Sequence, residues 1–157
     1  IEMDWVIRLI SQIRGLRAEV NVPPAAILPV SFKDTGDREN LILKKHSALI
    51  SRLARVSSLD LVDENVPSGA IQLVIDQATV FLTVSDAIDV KIERARINKE
   101  ISNQQNQITQ FEKKLENEKF LKNAPKVIVE EQKSKLANTN QDVRRLKEAE
   151  ARLRLIK

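Results

Sequence analysis

The sequence predicts an α+β fold in which one helix precedes a small βαβββ module and a long antiparallel two-helix coiled-coil hairpin follows it. Three observations support this. Over the last seventy residues, the spacings between apolar residues alternate between three and four once polar residues fill the remaining seam positions. Those spacings are the period of a coiled-coil seam. A proline-containing corner near residue 125 interrupts the seam, and short β-like runs lie between residues 26 and 84. We therefore predict three segments, at residues 1–22, 23–85 and 86–157.

The first segment reads as an amphipathic helix from about Asp4 to Val20. Its apolar stripe recurs at helical spacing and comprises Trp5, Leu9, Ile13, Leu16 and Val20. The helix ends before Pro23-Pro24, because proline has no amide donor and biases its predecessor toward extended backbone. Ile1, Trp5 and Leu9 are expected to pack against a further part of a longer protein from which this chain is a piece.

The second segment is predicted to be the module. A strand at 26–32 contains Pro29, which indicates either an edge position or a bulge. A helix at 38–52 follows, and then strands at 58–62, 71–75 and 79–84. The last two strands are predicted to form a hairpin around residues 76–78.

The hairpin helices are predicted to begin after Ser85 or Asp86 and after Pro125. Their seams carry Val90, Ile97, Ile101, Ile108, Phe111 and Leu115 on one helix and Val129, Leu136, Val143, Leu146 and Leu153 on the other. Gln104, Gln132, Thr139 and Glu150 complete the seams. Antiparallel alignment brings Arg94 close to Glu150, and Phe120 is expected to cover the corner with Leu121 and Val127.

Charge is distributed unevenly along the chain. Residues 1–85 hold 9 Lys and Arg against 10 Asp and Glu, whereas residues 86–157 hold 17 against 12. A basic projection suits an anionic partner such as RNA or DNA, and a solvated helix face is the alternative. The candidate phosphate contacts are Lys113, Lys114, Lys119, Lys122, Lys126, Lys133, Arg144, Arg145, Lys147, Arg152 and Arg154.

Several kinds of site have no support in the sequence. The chain has no cysteine and a single histidine, His46, which we interpret as a surface or packing residue. Its three glycines are too far apart for a phosphate-binding loop. No catalytic residue, cofactor site or metal site is predicted, and no apolar run is long enough to span a bilayer. Aromatic residues make up only 3% of the chain, so RNA would be recognised through its backbone and shape and not by base stacking.

The order of these parts resembles the carboxyl-terminal end of bacterial valyl-tRNA synthetases, which are class I aminoacyl-tRNA synthetases. The matching blocks are residues 13–24, 53–56, 117–120, 124–125 and 127–131. The resemblance implies that residues 1–22 end the anticodon-binding helical bundle, 23–85 form a connector, and 86–157 form the tRNA-binding arm. The arm would hold the outer corner of tRNA(Val).

The same resemblance implies that a distant catalytic domain joins valine to the tRNA, using ATP and magnesium, in the cytoplasm. The chain itself lacks the class I signatures. One signature needs two nearby histidines, and the other needs Lys-Met-Ser-Lys, whereas the only methionine, Met3, precedes Asp4. We therefore expect no catalysis by this chain alone, and a monomer.

Two alternative hypotheses concern the function of the hairpin. It would serve as a structural coiled-coil module for protein interaction or oligomerisation if its flanks bind protein. The hairpin of a ribosome-associated ATPase is also basic and coiled, but the Pro-Pro boundary and the long first helix fit it poorly. An independent enzyme has the least support.

Overall fold

A computed structural model describes residues 1–156 and confirms the α+β class. The elements are α1 (Glu2–Glu19), β1 (Leu28–Lys33), α2 (Asp37–Lys45), α3 (Ser47–Ala54), β2 (Val56–Leu61), β3 (Ala70–Ile75), β4 (Ala78–Thr83), α4 (Val90–Glu116), α5 (Glu118–Asn123) and α6 (Lys126–Arg154). The chain forms two compact units. One comprises Ile1–Glu93 together with Arg152 and the residues after it, and the other comprises Arg94–Ala151.

The first unit is built on a four-stranded sheet in the order β2-β1-β4-β3. β1 pairs with β2 in parallel and with β4 in antiparallel orientation, and β3 and β4 form the predicted hairpin. One face of the sheet is strongly apolar, because alternate residues of a strand point to the same side. Val30, Phe32, Val80, Leu82 and Ile71 lie on this face and are almost completely buried.

Pro29 lies in a central strand, so the edge alternative is wrong and the bulge alternative is confirmed. Leu28 pairs with Val56, but Pro29 pairs with Ser58, which leaves Ser57 as an extra residue on β2. The irregularity sits beside the one residue of β1 that cannot donate a backbone hydrogen bond.

The predicted helix at 38–52 is two helices. α2 ends at Lys45, α3 begins at Ser47, and His46 lies between them at φ −108° and ψ 17°. The hydroxyl of Ser47 donates a hydrogen bond of 3.3 Å to the Lys44 carbonyl, a local bond that competes with continuation of the helix. The break lets α2 bury Ile42 while α3 buries Ile50.

The expectation that Trp5 and Leu9 pack on an absent part of a longer protein is wrong. Trp5 is 3% exposed and Leu9 is fully buried within this chain, whereas Ile1 is 94% exposed. α1 lies against α3, and its Arg8 donates two hydrogen bonds to the Asp76 carboxylate in the β3–β4 turn. The apolar stripe of α1 was identified correctly, but its partner is the module that follows it in sequence.

Candidate nucleic-acid interface

The second unit consists of most of the long helices α4 and α6, packed against each other, and the short helix α5 between them. α4 has 27 residues and α6 has 29, which is about 40 Å of helix each at 1.5 Å per residue. α4 begins at Val90, later than predicted, because the Asp89 carboxylate accepts a hydrogen bond of 3.1 Å from the amide of Ile92 and so caps the helix.

The predicted seam is the face along which α4 and α6 pack. Ile97, Ile101, Val129 and Val143 are buried, and the remaining seam positions of this unit are at least partly buried, while almost every other side chain of the two helices is exposed. This is the narrow apolar stripe of a two-helix contact. It leaves each helix with most of its circumference in solvent.

Three positions of this seam hold uncharged polar residues. Thr139 donates from its hydroxyl to the Lys135 carbonyl at 2.7 Å, a bond within its own helix. Gln104 donates from Nε2 to Glu100 at 3.0 Å. The Oε1 atoms of Gln104 and Gln132 are buried and accept no hydrogen bond from a described residue. These groups weaken the seam, since a buried acceptor without a donor costs free energy.

An ion pair aligns the two helices. Arg94 on α4 donates from Nε and Nη2 to Oε1 of Glu150 on α6, at 3.2 Å and 2.9 Å. The pairing predicted from the seam register is therefore confirmed. Because the Glu150 side chain is only 13% exposed, the pair places a charge in the seam that tolerates few other registers.

The corner between the helices differs from the predicted apolar plug. The Asn117 side chain accepts hydrogen bonds from the amides of Lys119 and Phe120 and so begins α5. Phe120 is half-buried, but Leu121 and Val127 are 43% and 68% exposed. The ammonium of Lys114 lies 5.9 Å from the centre of the Phe120 ring. A cation therefore covers the aromatic face where the sequence predicted aliphatic side chains.

Five of the predicted phosphate-contacting lysines are exposed around this corner. They lie at the end of α4, in α5 and at the start of α6, and they are Lys113, Lys114, Lys119, Lys122 and Lys126. Glu112, Glu116 and Glu118 lie among them. The lysine excess still leaves the corner positive.

A second series of cations follows one flank of α6. Lys126, Lys133 and Lys147 are related by multiples of seven residues and so lie on one side of the helix. All three are exposed, and Lys133 lies 3.7 Å from Glu130 of the same helix. Arg144 and Arg145 are also exposed on α6.

Two predicted contacts belong to the other unit. Arg152 donates to the Glu19 carboxylate of α1 at 2.7 Å, and its side chain is 29% exposed. Arg154 is exposed two residues later. Since Arg152 already binds a carboxylate, it is less available to a phosphate than the arm lysines.

The cations of the arm fall into two groups separated by an uncharged stretch. Residues 101–111 of α4 and 136–141 of α6 contain no charged residue and are rich in Asn and Gln. Sequence reasoning missed Lys135, which is exposed near the corner. It also missed four arginines of the first unit that line one pocket. The available signal was the spacing of three between Arg14 and Arg17 on the first helix.

Comparison with known proteins identifies this hairpin. Residues 89–154 match the family model described as the valyl tRNA synthetase tRNA binding arm. These residues are therefore similar to that family of arms. The predicted recognition is thereby confirmed, and the match covers α4, α5 and α6 to its last residue.

Relatives of the valyl-tRNA synthetase arm extend the similarity to almost the whole chain. The valine–tRNA ligase of Gluconobacter oxydans is 41% identical over 152 residues, which is 97% of this chain and 17% of the relative. That of Mesorhizobium japonicum is 39% identical over 87% of this chain and 15% of its own length. That of Brucella suis is 35% identical over 98% and 17%. The chain thus spans about a sixth of the length of these ligases.

Other kinds of site have little basis in the described residues. No group of three or more His, Cys, Asp or Glu within residues 1–156 is placed to hold a metal ion. His46 lies 3.6 Å from the Glu2 carboxylate, consistent with a packing residue. None of the helices that the structure describes is both long and apolar enough to cross a membrane.

Proposed function

We propose that this chain is the tRNA-binding region of a longer valine–tRNA ligase, and that its arm holds tRNA(Val) through phosphate contacts. The single observation that carries the proposal is the match of residues 89–154 to the tRNA binding arm family. The exposed lysines of the corner and of the α6 flank supply charge for the phosphates. Such contacts add affinity and orientation without reading base sequence.

The candidate phosphate contacts are the eleven cations predicted from the sequence. Their expected contributions to tRNA binding differ, because their surroundings differ. The corner lysines Lys119 and Lys122 are exposed on a helix of six residues at the corner. Lys133 lies near Glu130, which partly offsets its charge. Arg152 ranks last because it is paired with Glu19.

The activity of the longer protein is also part of this proposal. Its relatives are named valine–tRNA ligases, so the whole protein would join valine to tRNA(Val), with ATP and magnesium bound outside these residues, in the cytoplasm. Residues 1–22 would end the anticodon-binding bundle, with 23–85 as connector and 86–157 as arm. Of the three residues predicted to contact the rest of the ligase, only Ile1 is exposed enough to do so. The isolated chain would be monomeric and without catalytic activity.

The arm's role is tested by measuring tRNA(Val) binding as a function of salt. Fluorescence anisotropy of a labelled transcript gives the slope of log K against log salt concentration for the full chain. The variant K119Q/K122Q should bind about tenfold more weakly at 0.1 M salt and lower the slope by about 1.5, since each lost phosphate contact removes roughly 0.7–0.9.

A matched control removes two charges from the first unit. R38Q/K44Q changes two exposed residues of α2 and should leave affinity and slope close to those of the unmodified chain. Equal losses in both variants would mean that net charge, and not the corner, governs binding. Absence of binding at low salt would refute the arm's role. Sedimentation of a stable oligomer would favour the oligomerisation module.

A further inference from the structure

A second basic surface lies within the first unit, in a pocket between α1 and α3. Four arginines line it, namely Arg14, Arg17, Arg52 and Arg55, together with apolar residues that include Val22 and Pro24. No Asp or Glu is among the described residues that line the pocket. The pocket is therefore cationic, although residues 1–85 as a whole carry one more acidic than basic residue.

Arg14 and Arg17 lie three residues apart on α1, which places both on one helix face. Arg52 lies on α3, and Arg55 directly follows the end of α3 at φ 53°. Arg17 is the most deeply placed and is only 7% exposed. Its guanidinium donates to the carbonyls of Arg55 at 3.1 Å, Pro23 at 3.2 Å and Ala26 at 2.6 Å. These bonds hold Arg17 rigidly, and its positive charge forms no ion pair with a carboxylate of residues 1–156.

Two of the positive charges in this pocket, Arg17 and Arg55, lie close together. Burial lowers the pKa of the Arg17 guanidinium, and the nearby positive charge of Arg55 lowers that pKa further. An arginine nevertheless stays protonated at neutral pH. The pocket thus holds an electrostatic strain that a bound anion would relieve.

Other arginines of the same unit do find carboxylates. Arg8 binds Asp76 at 3.0 Å and Arg152 binds Glu19 at 2.7 Å. In contrast, Arg14 and Arg52 are exposed and form neither an ion pair nor a hydrogen bond with a described residue. The arginines of this pocket therefore retain donors for an external anion.

We propose that this pocket binds a phosphate group of an RNA backbone. Guanidinium groups recognise phosphate oxygens through paired hydrogen bonds, and the walls of the pocket place donors from two helices around one opening. The choice of RNA over a free phosphate rests on the proposed function of the arm. The pocket would then supply a phosphate contact that is independent of the corner lysines.

The first test uses the full chain and the same anisotropy assay. R14Q/R52Q should weaken tRNA(Val) binding about tenfold at 0.1 M salt and lower the salt slope by about 1, whereas R38Q/K44Q removes equal charge and should not. Circular dichroism establishes that R14Q/R52Q is folded. Adding R14Q/R52Q to K119Q/K122Q should weaken binding by the same further factor. This combined variant tests the pocket separately from the corner lysines, so that a wrong proposal for the pocket can be told from a wrong proposal for the arm. Equal binding by R14Q/R52Q and R38Q/K44Q would overturn the proposal.

The second test needs no substitution. The Nε–Hε NMR signals of the unmodified chain are followed during titration with hexauridylate and, separately, with inorganic phosphate. Saturable shifts of Arg14, Arg52 and Arg55 with both probes, larger than those of the arm residues Arg144 and Arg145, would support a phosphodiester site. Shifts with inorganic phosphate alone would overturn the assignment to RNA, and the absence of shifts with either probe would overturn the site.

Discussion

Replacing Gln132 with leucine should stabilise the hairpin. Gln132 is 8% exposed, and its Oε1 atom is buried without a hydrogen-bond donor among the described residues. A buried acceptor in this state costs about 1–3 kcal/mol. Leucine has a similar volume, removes that cost and adds apolar contact in the seam. We therefore expect the free energy of unfolding to rise by about 2 kcal/mol.

Urea denaturation followed by circular dichroism at 222 nm measures the effect. With a dependence of about 2 kcal/mol per molar urea, the midpoint for the hairpin should rise by about 1 M. Amide exchange of residues in α6 reports whether the gain is in the hairpin and not in the first unit. The two units need not unfold together, so this residue-level measurement is required.

The matched control is Q141L, on an exposed position of the same helix. It shares the chemistry of the change but not the burial, and its effect should stay within about 0.5 kcal/mol. If Q132L is no more stable than Q141L, then Oε1 of Gln132 is satisfied in solution. Gln132 would then not weaken the seam.

Two further changes test other contacts. R94L removes the two hydrogen bonds to Glu150. Because the Arg94 side chain is 39% exposed, the free energy of unfolding measured by urea denaturation should fall by only about 1–2 kcal/mol. No change, or an equal fall when E150Q is already present, would contradict the role of this pair in aligning the helices. Hydrogen bonds from Arg8 lower the pKa of Asp76, so this pair stabilises the fold above the pKa of an unfolded aspartate and loses that contribution as pH falls through the lowered pKa. As the pH is lowered below about 4, the melting temperature of D76N should therefore fall less than that of the unmodified chain. An equal fall in both proteins would refute the contribution of Asp76 to acid sensitivity.

Local repeats made much of the second unit predictable. A seam of alternating three and four residues determines which face of each helix is buried, because it depends only on helical geometry. The corner proline then determined that the seams pair antiparallel, and the register placed Arg94 beside Glu150. The corner side chains were less predictable. The sequence predicted that Phe120, Leu121 and Val127 all cover the corner, but only Phe120 is half-buried there and the other two are exposed.

The first unit depended more on tertiary packing. Its strands were recognisable by alternation, but nothing local placed β1 at the centre of the sheet with Pro29 beside a bulge. The break at His46 was likewise not predictable from local sequence, because it lets α2 bury Ile42 and α3 bury Ile50. The four-arginine pocket was invisible in the charge count, because acidic residues elsewhere in the segment cancel it.

By itself, the sequence predicted the hairpin and its similarity to the valyl-tRNA synthetase arm, because periodicity, the corner motif and the shared blocks are properties of neighbouring residues. Only the tertiary structure decided which apolar residues were already covered and which charges were already paired. Trp5 is buried by residues distant in the chain, Arg152 is neutralised by Glu19, and Arg17 is brought next to Arg55. Burial and ion pairing depend on distances through space, which a linear pattern does not contain.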